Sequence, residues 1–131
     1  MSALDKTVLI PTTTVTLRQV DEAVARGIVS RVRPSAGWAE DFPASGDLAA
    51  MRLWSFSSEP NVPWFGSYLT VVDDAASGTI GFKGAPTANQ VEIGYGVVPW
   101  RQGRAVATEA LSQLLILIAG LSLVVRAETH A

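Results

Sequence analysis

The stretch from residue 91 to residue 127 constrains the fold more than any other part of the chain. Val91-Glu92-Ile93-Gly94-Tyr95-Gly96-Val97-Val98 reads as a strand. Ala107, Ala110, Leu111, Leu114, Leu115 and Ile118 then recur at i, i+3, i+4 spacing and predict a helix over residues 104–119, with Gly120 as its stop. Residues 121–127, rich in Leu and Val, predict another strand. A strand, a helix and a strand in this order close through a right-handed crossover, so the two strands lie parallel in one sheet. The expected class is therefore α/β with a mixed sheet.

The rest of the chain supplies the other elements. Residues 8–20 carry β-branched residues, with Val15 and Leu17 alternating against Arg18, and predict a first strand. Residues 21–32 place Ala23, Val24, Gly27, Ile28 and Val32 at helical spacing behind acids in the first turn. Residues 33–46 form a long irregular connection with Pro34, Gly37, Pro43 and Gly46, and with Trp38 and Phe42 embedded in it. Ser45 or Asp47 caps a second helix reaching about Ser57, with Leu48, Met51, Leu53 and Trp54 apolar. After a Pro-rich loop at 59–64, strands at 65–72, 79–83 and 91–98 form a meander with turns at 73–78 and 84–89. The order is β-α-α-β-β-β-α-β in a single domain over residues 1–131. With 131 residues, 48% of them hydrophobic, area scaling buries roughly two-thirds of the unfolded surface, enough for a core without disulfides.

Composition excludes several functions. Lys+Arg is 10 against 12 Asp+Glu, a net of -2, and the cations are scattered from Lys6 to Arg126 with no basic tail. That argues against a general nucleic-acid binder. The absence of cysteine removes disulfides, thiolate nucleophiles and Cys-based zinc sites, and no metal is expected. The one histidine, His130, sits beside the terminus, a poor place for a Ser-His-Asp triad. No signal-peptide pattern opens the chain. The apolar run at 110–125 contains Ser112, Gln113, Gly120 and Ser122 and is shorter than a membrane span, so a buried helix followed by a strand explains it better. No membrane partner and a cytoplasmic location are expected.

The chemistry concentrates at the strand-helix junction. Gly103, Ala105 and Ala107 are small residues at alternate positions where the helix begins. The first turn of a helix has free N–H groups and the positive end of the dipole, so it attracts an anion such as a phosphate. Small residues let that anion approach the backbone, and Arg101 and Arg104 add charge nearby. Gly94-x-Gly96-x-x-Pro99 imitates a dinucleotide fingerprint but lies within a strand, and no Gly-Lys-Ser/Thr exists for a nucleotide P-loop.

This stretch resembles the GNAT superfamily of acyl-CoA-dependent N-acyltransferases, in particular bacterial members related to the ribosomal-protein acetyltransferases. Their signature, Gln/Arg-x-x-Gly-x-Gly/Ala, is met as Gln102-x-x-Ala105-x-Ala107, with Ala in place of the first Gly. Ile80-Gly81-Phe82, Glu92-Ile93-Gly94-Tyr95, Ala107-Thr108-Glu109-Ala110-Leu111, Arg126-Ala127-Glu128-Thr129 and the Gly37-Trp38-Ala39 and Asp41-Phe42-Pro43 segments are similar to family features. The resemblance implies an acetyltransferase taking acetyl-CoA as cosubstrate and passing its acetyl group to a primary amine by direct attack. It places the cosubstrate in a wedge between the fourth and fifth strands, opened by a bulge at Gly96, Val97 and Val98. The Val97 N–H would polarise the thioester carbonyl. Backbone N–H groups among Gln102, Gly103, Arg104, Ala105, Val106 and Ala107 would hold the pyrophosphate. Glu92 is the implied base, a position that an ordinary solvent-facing acid on a half-buried strand would also occupy. The family continues beyond the last strand, so the chain reads as C-terminally shortened, with an exposed strand edge and an apolar helix face that imply a homodimer. A non-catalytic binding module on the same scaffold is the alternative, and the acceptor amine is open.

Overall fold

In the computed structural model the described residues are 15–34, 36–56, 66–83, 87–98, 105–121 and 124–129. They form β1 (Val15–Gln19), α1 (Glu22–Val29), α2 (Ser45–Phe56), β2 (Ser67–Val72), β3 (Ala75–Phe82), β4 (Gln90–Val97), α3 (Val106–Leu117) and β5 (Val124–Thr129). This is the expected element order. The five strands make one sheet in the order β1-β2-β3-β4-β5. The first four are antiparallel neighbours, and β4 and β5 are parallel, as the crossover through α3 requires.

Local sequence explains several boundaries. Asp21 caps α1 by accepting the Val24 N–H at 2.8 Å. The helix was expected to reach Val32 but ends at Val29, because Arg31 turns left-handed at φ 57° and the Arg31 and Val32 N–H groups fold back onto the Ile28 and Gly27 carbonyls. Val32 is left 67% exposed, outside the core. The turn expected at 73–78 is only Asp73-Asp74, both at positive φ (50° and 68°), the conformation that joins twisted strands through two residues. Strand β3 therefore begins at Ala75 rather than Thr79. Ala88-Asn89 does the same ahead of β4, with Thr87 and Gln90 exchanging hydrogen bonds of 2.8 and 2.9 Å. The last strand runs from Val124 to Thr129 instead of 121–127, because the turn with the Leu121 N–H on the Ile118 carbonyl takes up its start.

Two cores lie on opposite faces of the sheet. Helices α1 and α2 pack Ala25, Ile28, Leu48 and Met51 with Phe42 against Leu69, Val71, Ala76 and Val98. Helix α3 packs Ala110, Leu114 and Ile118 against Tyr68, Ile80, Phe82, Val91 and Ile93. Among the described residues no helix is long and apolar enough to cross a membrane.

Candidate active site at the β4–α3 junction

Strand alternation sorts β4 into two faces. Val91 and Ile93 point into the α3 core, with half-buried Tyr95 packed against it. Glu92, Gly94 and Gly96 share the opposite face, and along it exposure falls from Glu92, which is exposed, to the buried Gly94 and Gly96. Register explains the gradient. Gly96 stands opposite Thr79, whose hydroxyl donates to Asp47 Oδ1 at 2.6 Å. Asp47 is buried in the first turn of α2, and its Oδ2 also accepts the Ala44 N–H at 2.9 Å. The start of α2 thus covers the sheet beside Gly96 and leaves the Glu92 end open.

The open end is a field of charge. Glu92 stands opposite Arg126 of β5, and its carbonyl accepts the Lys83 N–H at 2.8 Å. Lys83 Nζ reaches Glu128 at 3.1 Å, an ion pair that links the end of β3 to β5 across β4, where Gly94 has no side chain to obstruct it. Among the described residues the Glu92 carboxylate belongs to no ion pair, so it is free to take a proton or an ammonium from solution.

The hydrogen-bond register decides what the C-terminal half of β4 can offer. The Val98 N–H is spent on the Ser77 carbonyl at 2.8 Å and its side chain is fully buried, which leaves Val98 its carbonyl oxygen. Gly96 contributes the absence of a side chain. Gly78 stands opposite Val97, and a Cβ placed on Gly78 would lie 2.1 Å from the Gly96 carbonyl oxygen, so the two strands touch through bare backbone. Val97 is half-buried and already takes part in an interaction within the protein. Strands β4 and β5 pair in continuous register from Gln90↔Val124 to Tyr95↔Thr129. The bulge implied in β4 is not what the described register shows: the shift lies between β2 and β3, where Ser77 is the extra residue between the pairs Thr70↔Gly78 and Val71↔Ala76. Ser77 Oγ bonds back to the Ala75 carbonyl at 2.9 Å, which helps hold it there.

Past residues 99–104, which hold Gln102, Gly103 and Arg104 and lie outside the described residues, Ala105 is the N-cap of α3. Its backbone is left-handed, φ 57° and ψ 21°, and among the described residues no side chain caps the helix. The Glu109 N–H bonds to the Ala105 carbonyl at 3.0 Å, so the helical ladder starts there. The N–H groups of Val106 and Ala107 precede that first bond and sit at the positive end of the dipole. A left-handed residue followed by helical ones gathers successive N–H groups into an anion-binding concavity. Val106 is buried, Ala107 half-buried and Ala105 exposed, so the turn is anchored on one side and open on the other.

Sequence reasoning missed the brace beside the end of β4. Trp38 bridges to Ala76, the Ala39 N–H bonds the Ala76 carbonyl at 2.8 Å, and the Ala76 N–H bonds the Gly37 carbonyl at 2.6 Å. This loop thereby takes the part of β3 that β4 leaves unpaired. Arg33 holds it by donating to the Phe42 and Ala39 carbonyls at 3.0 and 2.6 Å while its guanidinium lies 5.8 Å from the centroid of Trp38. The signal was present in the Trp38 and Phe42 of an otherwise polar connection, which meet edge to face at 5.3 Å. Of the other tryptophans, Trp64 and Trp100 lie outside the described residues, as does the Trp54 side chain. No group of three or more metal-ligating side chains occurs among the described residues.

No family model matches the chain, and no curated protein matches it. Solved structures do. The aminoglycoside N-acetyltransferase AAC(6')-Iy in complex with CoA is similar at 14% identity and a TM-score of 0.48, over 94% of this chain and 81% of that one. A protein described as a predicted acetyltransferase with acetyl-CoA, from Clostridium acetobutylicum, is similar at 15% identity and 0.48, over 90% and 81%. A protein described as belonging to the GNAT family, from Xanthomonas campestris pv. campestris, is similar at 17% identity and 0.39, over 93% and 77%.

Proposed function

We propose that the chain is an N-acetyltransferase that moves the acetyl group of acetyl-CoA to a primary amine within a ternary complex, in the cytoplasm. The observation that carries this reading is the junction itself. A helix N-terminus with a left-handed residue at its mouth is the next described element after a strand whose open face presents a carboxylate, and among the described residues the helix start has no side-chain cap and the carboxylate no ion-pair partner.

The turn at 105–107 fits a diphosphate. Its first N–H groups have no intrahelical partner and its exposed side is lined by alanines. Ala105, Val106 and Ala107 would hold that group through their backbone, together with Gln102, Gly103 and Arg104 from the preceding loop. Gly96, Val97 and Val98 would border the pantetheine arm. Bound acetyl-CoA supplies a thioester carbonyl already activated toward amines. The chain's contribution is to position the amine and to take its proton. An alkyl ammonium has a pKa near that of lysine, about 10.4, and its nitrogen must lose a proton before it carries a lone pair. Glu92 accepts that proton, directly or through water, and Arg126 stands opposite it on β5.

Titration calorimetry with acetyl-CoA, followed by an acetyl-transfer assay over a panel of amines, tests this. The expectation is saturable binding with thermal stabilisation. Transfer should fall about 100-fold in Glu92→Gln, the usual order for loss of a general base, while acetyl-CoA affinity is retained. No heat and no thermal shift at millimolar acetyl-CoA would overturn the assignment. Binding without transfer to any amine would leave the non-catalytic binding module.

A further inference from the structure

We propose that Ser67 determines specificity at this site, and that its hydroxyl selects primary amines carrying a second hydrogen-bonding group, of the amino-alcohol class. The proposal rests on the N-acetyltransferase reading for the amine and goes beyond it in naming what else the acceptor carries. The residues involved form one row across the sheet. Ser67 of β2 stands opposite Gly81, Gly81 opposite Gly94, and Gly94 opposite Glu128. Residues directly opposite one another on neighbouring strands share a face, and Gly94 shares its face with Glu92. Ser67 therefore belongs to the Glu92 face, on the side of Leu69 and away from Tyr68 of the α3 core. Between Ser67 and Glu128 the row raises no side chain. It is bordered on the Gly96 side by the Thr79–Asp47 hydrogen bond, and on the other by Glu92 and the Lys83–Glu128 ion pair.

Close backbone approach explains Gly81 by itself, since a Cβ there would lie 2.7 Å from the Gly66 carbonyl oxygen and from the Ser67 Cα. The Ser67 hydroxyl needs a different account. Ser67 is only 7% exposed, and among the described residues its Oγ has no hydrogen-bond partner. Thr79, its neighbour on the same face, by contrast donates to Asp47. The Ser67 Oγ lies 2.8 Å from the position a Gly81 Cβ would take, so it leans over Gly81 toward Gly94 and the Glu92 strand. Buried hydroxyls are as a rule hydrogen-bonded, and this one can both donate and accept. A polar group of the acceptor, laid over Gly81, completes it. Neighbouring strands are about 4.8 Å apart, which puts Ser67 and Gly94 about 10 Å from each other. With the Oγ already leaning inward, a nitrogen beside Glu92 and a hydroxyl on Ser67 stand about 5 Å apart, roughly the span of a three-carbon chain.

The test compares 3-amino-1-propanol with butylamine, in which a methyl group replaces the hydroxyl. Each is titrated into the 131-residue chain in millimolar CoA while the backbone amide resonances are followed. The wild type is expected to bind the amino alcohol about fivefold more tightly, the usual order for one neutral hydrogen bond, with shifts at Gly81 and Gly94. In Ser67→Ala the two amines are expected to bind alike. Where acetyl transfer is measurable, the ratio of kcat/KM for the two amines should fall by the same factor. Where no amine is acetylated, the N-acetyltransferase reading fails and the binding preference still decides the role of Ser67. A thermal melt of Ser67→Ala separates this role from a structural one. An unpartnered hydroxyl is expected to leave the unfolding temperature unchanged or raised on removal. Equal binding of the two amines by the wild type, a preference that survives in Ser67→Ala, Gly81 and Gly94 resonances that stay in place, or a fall of about 3 °C or more in the variant's melt would each overturn the proposal.

Discussion

Ala105 illustrates how much one methyl group can matter at the turn that opens a helix. The chain asks this residue for φ 57° with a side chain in place, a conformation that glycine adopts without steric cost. The Cβ of an L-residue there costs roughly 1–2 kcal/mol. Ala105→Gly is accordingly expected to stabilise the protein by about 1 kcal/mol, after the entropy that glycine adds to the unfolded chain. A thermal melt checks the sign, with a rise of about 3–5 °C expected. The fall in unfolding temperature caused by Ala105→Val would be the mirror result. The sequence shows an alanine where the resembling family has glycine, but whether that position is helical or left-handed is a property of the backbone path, which one-dimensional spacing does not carry. Glu92 was legible for a simpler reason. Period-2 alternation alone puts it on the face of Gly94 and Gly96, away from Ile93.

At the scale of elements, the β2–β3 hairpin is the instructive case. Asp73-Asp74 closes it in two residues, and Ser77 is then inserted as a bulge so that Leu69 and Thr79 regain register. The Ala75-Ala76-Ser77-Gly78 segment has none of the β-branched or aromatic residues that mark a strand, and it reads as a loop. It is a strand because its neighbours crowd it: the Gly37–Ala39 loop bonds Ala76, Val98 bonds Ser77, and the Gly96 carbonyl presses on Gly78. Small residues are required there by close backbone approach rather than by turn chemistry. Gly78→Ala would put its methyl into that carbonyl and is expected to cost about 1–3 kcal/mol, typical of overpacking. The lower urea midpoint at unchanged slope would show it. The same crowding predicts that Gly78→Ala shifts the β4 amide resonances near Gly96 before it affects those of β1.

For the molecule as a whole, two cores on opposite faces of one sheet set the pH response. Tyr68 belongs to the α3 core, and burial pushes its phenol above the ordinary value of 10.0. A raised acid pKa means that the folded state keeps a proton the unfolded chain has already released. That contribution is complete below pH 10 and is lost as pH rises through the folded value. Alkaline unfolding is therefore expected to steepen above pH 10, and Tyr68→Phe to weaken that dependence, as guanidinium midpoints measured on either side of pH 10 would report. The α3 end of the same core also shows where helical periodicity stops being informative. Leu115, Ile116, Leu117 and Ile118 look equally core-like in sequence, yet only Ile118 is buried and Ile116 is 71% exposed. Periodicity ranks faces of a helix, whereas the area each face covers depends on how far the sheet extends beneath it.

Element types and their order and the parallel β4–β5 pair all follow from local pattern, as does the choice of the β4–α3 junction as the candidate site, because strand alternation, helical spacing and crossover handedness act over a few residues at a time. The left-handed cap at Ala105, the strand identity of residues 75–78, the Asp47–Thr79 bond across 32 residues of sequence and the row that sets Ser67 beside Gly81 and Gly94 came only with the assembled sheet. Each depends on which backbone lies next to which, and that contact is set by packing between elements far apart in the chain.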